Sequence, residues 1–141
     1  MFRIRAVCGA LALLVCGLSP ATAQSVRGHL KTLLPGELSL NEVSIDAWID
    51  DDGVPQGMME WTGGVTLKGH PAGPTDPWHL DILDLEFDGN TVLVTAIVTH
   101  SVFPDEIGMI FPLLFTDNSG TGQPDEFGNL PALAGHVTVI D

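Results

Sequence analysis

The chain has 141 residues, with 18 acidic and 5 basic side chains and a formal net charge of −13 at pH 7. A field of that sign repels phosphate backbones and anionic lipid headgroups, so neither nucleic acid nor a membrane surface is an expected partner. Apolar residues make up 45% of the chain and fall in ordered runs, which excludes the disordered class.

The N-terminus reads as an export signal. Arg3 and Arg5 precede an apolar stretch, Ala6 to Leu18, and Ala21-Thr22-Ala23 supplies small residues for cleavage before Gln24. Residues 1–23 are therefore expected to be a signal peptide, and residues 24–141 a single β domain, secreted or periplasmic. The apolar stretch is too short to anchor comfortably in a bilayer, and no later one is long enough for a membrane helix. Lipidation at Cys16 is a lesser alternative, because Val15 stands where a bacterial lipobox wants a small residue. Cys8 and Cys16 both leave with the signal, so the exported domain has no disulfide and must rely on its core. The basic residues that remain are Arg27, Lys31 and Lys68.

Period-2 patterning dominates residues 24–141. Val26 to Leu33 and Glu37 to Leu40 flank the turn dipeptide Pro35-Gly36, with a short helix over 28–34 as the alternative. In Glu42 to Asp50, Val43, Ile45, Ala47 and Ile49 alternate with polar residues and Trp48, the pattern of a half-buried strand. Asp51-Asp52-Gly53 is a turn. Gln56 to Thr62 and Gly64 to Gly69 read as short strands, and residues 70–77 as a loop whose three prolines exclude a regular ladder. Trp78 to Ser101 reads as a hairpin about Gly89-Asn90, a favoured two-residue turn. That register sets Phe87 against Val92, Leu85 against Val94 and Leu83 against Ala96. A change of apolar parity near Ile82-Leu83 predicts a β-bulge that brings Leu80 opposite Val98 and Trp78 opposite His100. Ser101 to Gly108 is a loop. Met109 to Thr116 is an apolar run which Pro112 marks as an edge or bulged strand. Asp117 to Pro131 is a long loop, and His136 to Ile140 a closing strand. Seven or eight antiparallel strands result, as a small up-and-down barrel or a two-sheet sandwich, with the barrel favoured by the tight turns.

The late loop carries the only metal-like spacing. Counted from Asp117, oxygen side chains fall at the first, third, fifth and ninth positions, and Gly122 at the sixth, as in a calcium loop. Asp117, Ser119, Thr121 and Asp125 are therefore the candidate calcium ligands. The twelfth position is Gly128 instead of a bidentate glutamate, and no helices flank the loop, so an EF-hand is excluded. The competing reading is a turn-rich loop whose side chains bond their own backbone. The histidines His29, His70, His79, His100 and His136 show no paired zinc spacing. His79 is expected to face outward, with His100 inward against Trp78. A site joining His70 or His79 to Asp81 is the weaker metal alternative. Trp48, Trp61 and Trp78 are either a stacking platform or packing at the barrel end. No GxSxG, P-loop or cysteine nucleophile is present.

The order Asp52-Gly53, a strand ending at Trp61, Phe87-Asp88-Gly89-Asn90-Thr91-Val92, then Phe115-Thr116-Asp117-Asn118-Ser119-Gly120 with Asp125 and Phe127 resembles exported bacterial β-domains of the post-COAP-1 type. The resemblance spans most of the chain after the signal but rests on turn motifs, and Ser119-Gly120-Thr121 lengthens the late loop. It implies an extracellular β-domain and supplies no catalytic residues. The leading expectation is a non-catalytic secreted binding or structural module, with an unknown extracellular partner or small ligand. The alternatives are a lipocalin-like small-ligand barrel and a small hydrolase or isomerase using carboxylates or histidines. A cavity lined by Met58, Met59 or Trp61 would favour the ligand barrel. Convergent ionisable groups in a cleft would favour the enzyme.

Overall fold

A computed structural model describes residues 23–33, 40–63 and 77–141. Eight strands run in chain order: β1 (Ser25–Leu33), β2 (Leu40–Ile49), β3 (Pro55–Thr62), β4 (Trp78–Asp88), β5 (Thr91–His100), β6 (Ile110–Thr116), β7 (Glu126–Phe127) and β8 (Leu130–Ile140). Each pairs antiparallel with the next, and β8 returns to β1, so the sheet closes as an up-and-down barrel. The sandwich alternative falls away. Residues 25–33 are strand and not helix. The expectations for residues 1–22, the Pro35-Gly36 turn, the Gly64–Gly69 strand and most of the proline-rich loop lie outside the described residues.

Alternation decides which side chains fill the barrel. In β2, Val43, Ile45 and Ala47 are buried, while Glu42, Ser44, Asp46 and Trp48 occupy the outward positions. In β5 the inward set is Val92, Val94, Ala96 and Val98, all at 1% exposure or less. Phe115, Leu30, Met59 and Leu80 are the largest apolar side chains buried with them. The interior is thus largely apolar, and most charges of the described residues lie on the outer wall. That is the reverse of a membrane-spanning barrel, whose lipid face is apolar and whose lumen is polar.

Where strands cross too closely for a Cβ, the chain has glycine. A Cβ on Gly57 in β3 would lie 2.2 Å from the Asp46 carbonyl oxygen of β2. Gly57 also has φ +124°, outside the range that side-chain-bearing residues favour. The hairpin turn Gly89-Asn90 is held from two sides. Gly89 N–H donates to Asp141 Oδ2 (2.9 Å), and Asn90 Nδ2 donates to the Asp117 carbonyl (2.9 Å).

The β4–β5 hairpin keeps the expected pairs Phe87–Val92, Leu85–Val94 and Leu80–Val98. Two details differ from the sequence reading. The bulged residue is Leu83 itself, so Ile82 and not Leu83 faces Ala96. Ile82 is 8% exposed and Leu83 46%. A second irregularity, at Thr99, brings His79 opposite His100. Trp78 therefore has no place opposite His100, and His100 lies on the outer wall against His79, with ring centroids 5.2 Å apart. The late loop also proves shorter than expected. Glu126 and Phe127 form β7, Gly128-Asn129 turns the chain, and β8 begins at Leu130, so Pro131 lies within a strand.

The bulge separates two adjacent residues of equal hydrophobicity by environment. Ile82→Ala should cost about 2–4 kcal/mol, as for a core aliphatic truncated to alanine. Leu83→Ala should cost under about 1 kcal/mol. Urea melts of the two variants check this, and equal losses would contradict the placement of the bulge.

Candidate functional site

The shortest strand creates the site. β7 covers only Phe115 and Thr116 of β6, and only Leu130 and Pro131 of β8. Backbone groups on both sides of it must find other partners or face solvent.

Below β7 the partners are two aspartates. Asp125 is buried. Its Oδ2 accepts from Val137 N–H of β8 (2.8 Å), and its Oδ1 from Asn118 N–H (2.7 Å). Asp117 Oδ2 accepts from Val139 N–H of β8 (3.0 Å), and its Oδ1 accepts from the Ser119 N–H (2.9 Å) and hydroxyl. Val137 and Val139 lie two residues apart, the spacing at which a strand presents successive donors to one side. The two carboxylates thus take the place that a longer β7 would have occupied. Thr121 Oγ1 donates to the Asn118 carbonyl (2.7 Å) and accepts from Gln123 N–H (3.1 Å). All four candidate calcium ligands are engaged inside the protein. Among the described residues, no three histidine, cysteine or acidic side chains converge to hold a metal ion.

Burial pushes the Asp117 carboxyl up, but the Ser119 hydroxyl, the Val139 and Ser119 N–H groups and the field of His136 outweigh it, and its pKa is lowered. Asp50, in the β2–β3 turn, is also lowered. The Val54 N–H is the chief cause, opposed by burial and aided by Gln56 and the Asp52 N–H.

Above β7 no aspartate among the described residues fills the gap. Val98 N–H donates to the Met109 carbonyl (2.9 Å), so strand alternation turns the backbone of Ile110, Pro112 and Leu114 away from β5. Gly128 N–H meets the Leu114 carbonyl (2.7 Å). Beyond that bond the upper edge of β6 has no ladder partner among the described residues. Pro112 sits on this edge, where its missing N–H removes no ladder bond. The edge character read from Pro112 is real, although the barrel is closed.

A cleft of about 240 Å³ opens through the wall at this point. Pro112, Leu114 and the Gly128-Asn129 turn line it. Asn41, Trp61, Leu113, Phe127 and Leu130 also line it. Trp61 anchors an aromatic cluster. It meets Trp78 (5.8 Å between centroids), Phe111 (6.2 Å) and Phe127 (5.3 Å) edge-on, and Trp78 stacks on Phe111. Such offsets are the favoured geometry of aromatic pairs. Two of the three tryptophans thus form barrel-end packing, while Trp48 stands on the outer wall of β2. Met59 is core, and Met58 points outward.

Four buried polar residues near this end carried no motif. Glu106, in a 3₁₀ turn (Pro104–Glu106), accepts on Oε2 from Trp78 Nε1–H (2.9 Å) and the Ser101 hydroxyl (2.7 Å). Asn41 Oδ1 accepts from Trp61 Nε1–H (3.3 Å). The Asn41 Nδ2 and the Thr32 hydroxyl, both buried, have no hydrogen-bond partner among the described residues. No described lining residue of the cleft is ionisable.

Two ionisable arrays lie on the outer wall instead. His29 Nδ1 meets Ser44 Oγ (2.9 Å), and His29 Nε2 meets Glu42 Oε1 (2.8 Å), an order of groups like that of a hydrolase triad. It lies on the convex face of β1 and β2, whose backbones pair at these residues, so no free N–H pair is offered for an oxyanion. Glu60, His79 and His100 oppose one another across β3, β4 and β5, with His79 Nδ1 3.3 Å from Glu60 Oε1.

No protein-family model, no curated protein and no solved structure matches the chain.

The aspartates make two predictions. Asp125→Ala leaves two backbone donors unpaired, one of them in β8, and should lower stability by about 3 kcal/mol in denaturant melts. Asp125→Asn, which keeps one acceptor, should lose less. The second outcome concerns pH. A lowered carboxylate pKa contributes stability that is complete above the unfolded value and is lost as pH falls through the folded one. The melting temperature should therefore drop on acidification below about pH 4. Asp117→Asn should flatten that drop relative to the parent, with Asp50→Asn measured alongside to separate the exposed turn.

Proposed function

We propose that this chain is an exported, non-catalytic binding barrel that takes a small apolar molecule in the cleft between β6 and the β7–β8 turn. The observation that carries this reading is the cleft itself, an apolar opening of about 240 Å³ with an indole and a phenyl ring in its lining. Small-ligand sites are concave, mainly apolar and equipped with few polar groups, and the mouths of β-barrels are among their usual places. The volume is roughly that of eight liquid waters. It suits a compact ring compound better than a long acyl chain.

Two features weigh against the other readings. Acid–base catalysis wants ionisable groups converging on a cavity, and none of the described residues lining the cleft is ionisable. Capture of an extended peptide by the free edge of β6 would need a run of backbone donors and acceptors, and Pro112 interrupts that run. Export rests on the charged and apolar pattern of residues 1–23.

A neutral naphthylamine dye whose emission rises in apolar surroundings tests the reading. It should bind saturably, with one site per chain, and Leu130→Trp, which fills the cleft, should weaken it at least tenfold without lowering the melting temperature. Absence of saturable binding, or binding indifferent to Leu130→Trp, would leave a structural module without this site.

A further inference from the structure

The unpartnered polar atoms narrow the ligand, and this inference rests on the cleft reading above. Trp Nε1 is a donor and nothing else, so the Asn41 atom that faces Trp61 must be its oxygen. The amide orientation is thereby fixed, and the atom left over is Nδ2, with two N–H donors and, among the described residues, no acceptor. Thr32 stands directly opposite Asn41 in the β1–β2 register. Its hydroxyl is likewise buried and unpartnered among the described residues. Side chains directly opposed across antiparallel strands have Cβ atoms about 4.5–5.5 Å apart. Two unsatisfied groups in one place are unusual, because buried polar atoms are nearly always bonded. Asn41 also lines the cleft.

Charge sets the second limit. Among the described lining residues there is no cation to receive a carboxylate, and no carboxylate to receive an ammonium. The acidic surface disfavours entry of an anion further. We infer that the cleft takes a neutral, compact and largely apolar compound bearing a carbonyl or hydroxyl oxygen, which accepts from Asn41 Nδ2 with the Thr32 hydroxyl as a second donor beside it.

Three probes of one shape separate the possibilities: 2-acetylnaphthalene, 2-ethylnaphthalene and 2-naphthoate, titrated calorimetrically into the purified chain. The ketone should bind about tenfold more tightly than the hydrocarbon, the gain of one hydrogen bond to an otherwise unpaired group. The naphthoate should bind most weakly. Asn41→Leu should erase the ketone's advantage over the hydrocarbon, and Thr32→Val should reduce it in part. Should Asn41→Leu not fold, the parent protein still decides. In its ¹⁵N–¹H spectrum the Asn41 side-chain amide should move on adding the ketone and stay in place with the hydrocarbon. Equal affinity for ketone and hydrocarbon, tightest binding of the naphthoate, or an Asn41 amide indifferent to the ketone would overturn the ligand class and leave the cleft reading standing. Binding of none of the three would overturn the cleft reading beneath it.

Discussion

Closure of the barrel depends on two carboxylates. A sheet closes only if every strand finds neighbours on both sides, and β7, with two residues, cannot serve the length of β6 and β8. Asp125 and Asp117 bond the Val137 and Val139 N–H groups that β7 does not reach. Hydrogen bonds to an ionised acceptor are about twice as strong as neutral ones, so two side chains can do what several ladder bonds would. The same carboxylates bind their own loop through Asn118 and Ser119, which fixes the loop and the strand in one piece. Asp117 also reaches the β4–β5 turn through its backbone, its N–H meeting the Asn90 carbonyl (2.8 Å). One end of the molecule is therefore sewn shut by short polar contacts in place of a continuous sheet.

The other half of the gap has no such closure among the described residues, and the cleft lies there. A full-length β7 would have covered the edge of β6 from Ile110 to Leu113 and sealed the wall over Trp61. Its absence exposes apolar lining without exposing a usable edge, because Pro112 removes a donor and the Gly128 N–H covers the Leu114 carbonyl. The barrel thus has an opening without a strand-pairing hazard. The aromatic cluster behind it is braced by Glu106, which holds the Trp78 indole and the Ser101 hydroxyl on one oxygen. Bracing of this kind favours a pre-formed site over one that must be assembled on binding.

Strand patterning was legible where one face is buried and the other solvated. β2 and β5 alternate cleanly, and Gly89-Asn90 set the hairpin register because its turn geometry leaves little choice. The parity change in β4 showed that a bulge was needed but not which residue left the ladder, since Ile82 and Leu83 are equally apolar. The Thr99 irregularity left no trace, because Thr99 and His100 are both polar and either suits the outer wall. β8 was half hidden for a related reason: Leu133 is 62% exposed and Ala134 and Gly135 also face out, so no alternation marks its first half. The late loop was legible as an oxygen-rich turn. Whether those oxygens meet a cation or an amide depends on where β8 runs, a contact about 20 residues away that spacing within the loop cannot encode. Asn41 lay just before the alternating run of β2 and belonged to no motif. Its meaning comes from Trp61 across the β2–β3 pair and Thr32 across the β1–β2 pair.

That last position shows how stability and binding diverge in this fold. A valine at 32 would suit the surrounding core and remove one unsatisfied group, sparing the folded state a cost of about 1–3 kcal/mol. A leucine at 41 would remove the other but leave the Trp61 Nε1–H without its acceptor. The chain instead keeps a polar pair where β1 and β2 meet, beside an uncharged cleft. Elsewhere it satisfies buried polar groups closely: Asp125, Glu106 and Ser101 each have partners within 2.8 Å. Such pairing elsewhere makes Thr32 and Asn41 an exception with a location: they oppose each other in the β1–β2 ladder, and Asn41 lines the cleft. Residues that break a local rule without a compensating contact cluster at functional sites. Under the inferred ligand class, the missing contact has a chemical type, an oxygen acceptor.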